Sequence, residues 1–244
     1  MELHSLRYRG ATGARARVAG QSGASMPQIF KPSADTWLRL SLLTIFLGMV
    51  GLGLFGTGFA RSSYLTRQGW PVEQPVPFSH KHHAGDLGID CRYCHADVER
   101  GRFAGLPAGH VCMTCHSQLW TNAAILAPVR ESWRTGTPLA WTRVHSLPGY
   151  VYFDHSIHVA KGVGCTTCHG PVDRMPLMYQ AATLQMRWCL DCHRDPAKYL
   201  RPREDVFSTT YAPPADQERL GPELAERYHV RDVQSLTNCS TCHR

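Results

Sequence analysis

Gly164-Cys165-Thr166-Thr167-Cys168-His169 decides how this chain is read, because its C-x-x-C-H pattern recurs at Cys91-Arg-Tyr-Cys94-His95, Cys112-Met-Thr-Cys115-His116, Cys189-Leu-Asp-Cys192-His193 and Cys239-Ser-Thr-Cys242-His243. The five copies use all ten cysteines of the 244 residues. A lone C-x-x-C suits a zinc knuckle or a redox dithiol. Neither needs a histidine after every second cysteine, nor does a disulfide scaffold. Covalent haem does need it. Two thiols one helical turn apart add to the two vinyl groups, and the next imidazole reaches the iron. The expectation is therefore five covalently bound haem c groups. Their thioethers come from Cys91, Cys94, Cys112, Cys115, Cys165, Cys168, Cys189, Cys192, Cys239 and Cys242, and their proximal ligands are His95, His116, His169, His193 and His243.

Fourteen histidines less these five leave nine, and His4 lies ahead of the apolar segment. The other eight suffice to make every iron six-coordinate, which favours electron transfer over an open iron that binds substrate. An internal repeat selects among them: Phe78-x-His80-x-x-His83 precedes Cys91 as Phe153-x-His155-x-x-His158 precedes Cys165. Histidines three apart share one side of a helical turn but cannot both serve one iron along its axis, so each pair should ligate two different haems. The expected distal ligands are His80, His83, His155 and His158, with His145 first choice for the fifth haem ahead of His110 and His229. His82 has no counterpart in the second copy. Met175, Met178 and Met186 compete as thioether ligands, although packing against porphyrin is the ordinary use of such side chains.

The repeat describes a di-haem module that recurs about 75 residues further on, over 75–150 and 151–196, with a fifth haem site at the C-terminus. Fourteen prolines from Pro71 to Pro222 and no alternating apolar run imply a mainly α fold with much irregular structure and little or no β-sheet. Residues 61–244 offer fewer than 40 residues per haem, so porphyrin should supply much of the buried apolar surface. Residues 197–238 read as an irregular strap.

Leu40 to Phe59 is 20 residues without a charge between Arg39 and Arg61, long enough to span a bilayer and longer than a usual signal-peptide core. We expect a cytoplasmic tail over 1–36, disordered over the Gly/Ala/Arg-rich 1–25, a transmembrane helix over 37–60 and a haem domain over 61–244. Ser41, Thr44, Gly48 and Gly51 fall on one face of that helix. Haem is attached to c-type motifs outside the bacterial inner membrane, so the N-terminus should be cytoplasmic and the haem domain periplasmic. The net charge of +7 does not indicate nucleic acid. Residues 1–39 hold six Lys/Arg against two Asp/Glu, whereas 61–244 hold 20 against 17, and haem propionates would add negative charge.

From Met26 onward the chain resembles the pentahaem cytochrome c component of alternative complex III, a bacterial quinol oxidoreductase. The likeness lies in Met26-Pro-Gln-Ile-Phe-Lys-Pro-Ser33, Val151-Tyr-Phe-Asp-His-Ser-Ile-His158, Gly162-Val-Gly-Cys-Thr-Thr-Cys-His169-Gly and Met186-Arg-Trp-Cys-Leu-Asp-Cys-His193-Arg. The Phe-x-His-x-x-His of the first repeat also resembles the class III and c7 cytochromes, where such histidines are distal ligands to two haems. The resemblance implies tethering by one helix and menaquinol oxidation in a polytopic quinol-binding partner. It further implies an iron–sulfur, molybdopterin-oxidoreductase-like subunit, a mono-haem cytochrome c subunit, and electron exit to a soluble cytochrome c or blue copper protein.

Two other functions share parts of this layout. A multihaem nitrogen-oxide reductase needs an open iron, commonly marked by C-x-x-C-K, which does not occur here. A stand-alone membrane-anchored multihaem quinol dehydrogenase needs an acid or base beside a haem near the membrane, and the sequence singles out none.

Overall fold

A computed structural model describes residues 29–243. The expected disordered tail over 1–25 lies outside the described residues, as do Met26 to Gln28. The chain divides into two compact units, one ending at Phe55 and the other beginning at Gly56.

The first unit is dominated by the helix Pro32–Ala60, 29 residues that begin ahead of the expected boundary at 37. Proline is favoured at a first helical position, where its missing N–H loses no hydrogen bond. Asp35 and Arg39 pair at 2.9 Å one turn apart and extend the helix into its polar approach. At 1.5 Å per residue the helix is about 43 Å long. With a mean hydropathy of 2.0 over its apolar window and none of that window buried, it is long and apolar enough to cross a membrane. Ser41 and Thr44 donate their hydroxyls to the Leu38 and Leu40 carbonyls at 2.9 and 2.8 Å, so neither donor is left unsatisfied in an apolar setting.

The second unit is built from short helices joined by irregular chain. Among the described residues there is no sheet, only the isolated bridges Val151–His243 and Val163–Leu200. Each C-x-x-C-H lies on helix: Cys91–Cys94, Gly109–His116, Cys165–His169, Met186–Arg194 and Cys239–Cys242, with His95 and His243 just past the ends of theirs. Two of these turns carry side-chain caps, Asp90 accepting from the Arg92 N–H at 2.8 Å and Asn238 from the Ser240 N–H at 3.0 Å.

The two Phe-x-His-x-x-His segments fold differently. The second is an α-helix, His155–Ala160, capped by Asp154, whose carboxylate accepts from the Ser156 and Ile157 N–H groups. In the first, the Ser79 hydroxyl accepts from the His82 N–H at 3.2 Å, and the chain opens into the wider π-helical turn Lys81–Asp86 that begins after His80. That turn packs on Val172–Arg174 so closely that a Cβ on Gly85 would collide with the Asp173 carbonyl.

The side-chain core is small. Ten apolar residues are buried among those described. Most fall into two patches, Val76 with Met113, Leu126 and Val129, and Leu200 with Leu224 and Tyr228. Such sparse burial agrees with haem supplying part of the interior. The segment 197–238, expected to be an irregular strap, carries the helix Gln217–Arg227. Gln217 anchors it by donating Nε2 to the Ala197 and Leu200 carbonyls, both at 2.9 Å.

Candidate haem sites

Four of the five motif histidines face a second imidazole. His80 lies opposite His95 with ring centres 6.5 Å apart and planes 1° from parallel, and His155 opposite His169 at 6.2 Å and 9°. His83 faces His116 at 6.3 Å and 60°, and His158 faces His193 at 6.3 Å and 23°. An imidazole nitrogen sits about 2 Å from a first-row metal and about 1 Å from its ring centre, so two axial imidazoles on one iron stand about 6 Å apart. All four centre-to-centre spacings therefore match that of two imidazoles sharing one iron. The geometry also assigns partners: the two histidines of each repeat reach two different motifs.

Backbone carbonyls hold six of these eight rings, whereas the buried Nδ1 of His80 has no hydrogen-bond partner. The Nδ1 atoms of His83, His95, His155 and His158 donate to the carbonyls of Ser79, Gly105, Arg102 and Asp154 at 2.7 to 2.9 Å. Those of His116 and His193 donate to Leu119 at 3.2 Å and Leu236 at 3.0 Å. A ring nitrogen bonded to a carbonyl must carry the proton, which leaves Nε2 as the metal-binding atom. Phe78 stacks on His83 at 4.3 Å and meets His80 edge-on at 4.9 Å, and Phe153 repeats this with His158 at 4.5 Å and His155 at 4.8 Å.

The environment favours the ligating, neutral form of imidazole. Burial, with the positive potential of neighbouring histidines, pushes His80 down to about 4 and His169 down to about 3. His158 is lowered chiefly by burial as well. Burial pushes the Cys168 thiol up to about 12 and that of Cys192 to about 11. All ten cysteines are free of disulfides, and among the described residues no group of three or more His, Cys, Asp or Glu converges as a bare metal ion would require.

The remaining candidates fall elsewhere. His145, the first choice for a fifth distal ligand, lies edge-on to His169 at 4.4 Å and 78°, too close for an iron between these two rings. Its buried Nε2 has no hydrogen-bond partner. The ring beside His243 is that of Tyr150, at 5.9 Å, brought there by the Val151–His243 bridge and the Tyr152 N–H donating to the Cys242 carbonyl at 2.6 Å. His110 is exposed on Gly109–His116, and His229 is exposed in a left-handed conformation with φ of 51°. His82 stacks on Trp120 at 6.4 Å. Met175 is 1% exposed, in the packed interior, whereas Met186 is 64% exposed at the start of Met186–Arg194. Met178 is half-buried, and its carbonyl accepts from the Val72 N–H at 3.1 Å.

Sequence reasoning did not name the carbonyls that aim the rings. Backbone acceptors leave no residue signature, although the repeated Phe-x-His marks the aromatic contact.

Opposed imidazoles, paired thiols on single helical turns and a sheetless helical fold define a multihaem c-type cytochrome. Residues 60–132 match the class III cytochrome c family, and residues 151–244 match cytochrome c7 and related cytochromes c. The chain is 32% identical over 170 residues to the menaquinone reductase multihaem cytochrome c subunit of Nitratidesulfovibrio vulgaris (Hildenborough), a match covering 61% of this chain and 79% of that protein. The chain belongs to this family of class III and c7-like multihaem cytochromes c.

Proposed function

We propose that this chain is the electron-transfer component of a membrane complex of the alternative complex III kind. In this reading it relays electrons through five c-type haems from menaquinol oxidation toward a periplasmic cytochrome c or blue copper protein. The observation that carries the reading is the set of four imidazole pairs spaced for iron. His80 with His95, His83 with His116, His155 with His169 and His158 with His193 would each hold an iron through two protein ligands, which suits electron transfer and not the binding of a substrate. When bound, haem c supplies one-electron Fe(III)/Fe(II) chemistry. The chain's own residues do the rest. The cysteines attach, the imidazoles ligate, and the carbonyls of Gly105, Arg102 and Asp154 hold the rings in place.

Oxidation of menaquinol to menaquinone yields two electrons and two protons, and this reading assigns that chemistry to a polytopic quinol-binding partner. The relative's name specifies menaquinone reduction. The same imidazole pairs serve either direction, because the potentials of donor and acceptor decide the sign. The helix Pro32–Ala60 supports a single-pass anchor. In this reading the N-terminus is cytoplasmic and the haem domain periplasmic, the side on which haem is attached to c-type motifs. Iron–sulfur and mono-haem cytochrome c partners complete the proposed assembly.

Purification of the full chain from membranes of a host that makes the complex tests the assignment. A polytopic partner should co-purify and menaquinol should reduce the haems of the preparation. Recovery of the chain alone, fully reducible by quinol, would overturn it.

A further inference from the structure

With sites numbered by their motifs along the chain, we propose that the five haem sites are arranged in the spatial order 2–1–3–4–5, so that the path through the protein runs against the sequence in the first module and ends at sites 2 and 5. The order rests on the haem loading proposed above, and each of its links has its own contacts.

Two links follow from the repeat. His80 and His83 sit three residues apart on one turn and face His95 and His116, which makes sites 1 and 2 neighbours. His155 and His158 do the same for sites 3 and 4.

The link between modules is made by site 1. Cys91 of site 1 and Cys165 of site 3 lie within each other's electrostatic reach. The loop after His95 then reaches across: the Arg102 carbonyl accepts from His155 Nδ1 at 2.7 Å, and the Gly101 carbonyl accepts from the Ser156 N–H at 3.2 Å. In the other direction, the turn carrying His80 packs on the chain just after His169. The Lys81 N–H donates to the Met175 carbonyl at 3.0 Å, and Gly85 lies against the Asp173 carbonyl. The potentials of His95 and His80 both reach His169.

Site 5 joins at site 4. His193 Nδ1 donates to the Leu236 carbonyl at 3.0 Å, three residues before Cys239, and the Thr241 hydroxyl between Cys239 and Cys242 donates to the Ser235 carbonyl at 2.8 Å. Cys189 and Cys242 lie within each other's electrostatic reach.

The order is tested by counting neighbours. A reduced iron lowers the potential of the sites beside it, an effect that falls with distance. His83→Met and His80→Met each raise the potential of one site while keeping it six-coordinate. The haem-loaded full chain, unmutated and in each variant, is titrated potentiometrically with each low-spin haem followed by its EPR signal. In the order 2–1–3–4–5, site 2 is an end: His83→Met shifts its own component and one other, whereas His80→Met shifts its own and two others. The reverse result, two others for His83→Met and one for His80→Met, is that of an arrangement following the sequence and overturns the proposal. A methionine variant that loses haem is replaced by the lysine variant at the same position, read in the same way. Haem content of the unmutated chain by pyridine haemochrome stands apart from this comparison: a count below five overturns the loading, not the adjacency of sites 1 and 3.

Discussion

His155 Nδ1 donates to the carbonyl of Arg102 across 2.7 Å, a bond that joins the second module's first distal histidine to the loop of the first module. The His155 ring lies within 9° of the plane of His169, and the Nδ1 bond leaves Nε2 as the atom free to bind metal. In the proposed reading, replacing His155 with alanine would remove one iron ligand and leave Cys165 and Cys168 to hold the haem. The expected outcome is full haem content with one low-spin EPR species replaced by a high-spin one. An unchanged low-spin spectrum would remove His155 from the ligand set.

Asp154 ends the extended approach to the same helix and caps it through the Ser156 and Ile157 N–H groups. Loss of such a cap costs about 1 kcal/mol. For a domain of this size that is about 2 to 4 °C in thermal midpoint, the drop we expect for Asp154→Ala near neutral pH. The Ser156 hydroxyl, followed by those N–H groups, holds the Asp154 carboxyl below the usual carboxylate range. A carboxylate with a lowered folded-state pKa stabilises the fold above its unfolded value and loses that contribution as pH falls through the folded value. The gap between wild type and Asp154→Ala should therefore persist at neutral pH and close below about pH 4. A gap independent of pH would show that the carboxylate charge plays no part.

Gly162 adopts φ of +80°, and a Cβ there would meet the Arg201 carbonyl at 2.6 Å and the Tyr228 ring at 2.8 Å. The close approach lets the strap lie along the chain entering the third motif, with the Arg201 N–H donating to the Gly162 carbonyl at 2.9 Å. Left-handed backbone alone costs a non-glycine residue roughly 1 to 2 kcal/mol, and the collision adds to it. Gly162→Ala should lower the thermal midpoint by several degrees and expose the strap to proteolysis. A midpoint equal to that of wild type would show that the chain relaxes there without loss.

What could be read from residues alone follows from where the information resides. Covalent attachment would require particular residue types at fixed spacing, so the ten cysteines and their following histidines stand out in the sequence as candidates at once. The repeat singled out His80, His83, His155 and His158, and their ring positions pair with four separate motifs. His145 was not legible. Its neighbours in sequence say nothing about His169, 24 residues away, against which it packs. The helix Gln217–Arg227 was hidden by the prolines around it and by Pro222 within it, because its stability comes from contacts with Ala197 and Leu200 and not from local propensity.

The central claim is that electrons enter this chain from a partner and not from quinol directly. The most direct measurement is the haem reduction spectrum after adding a menaquinol analogue, with dithionite as the full-reduction reference. It is made on the isolated haem-loaded chain and on the chain within its membrane complex. The account predicts that dithionite reduces both preparations, while quinol reduces only the complex. Prompt reduction of the isolated chain by quinol would contradict it and identify a self-sufficient quinol dehydrogenase.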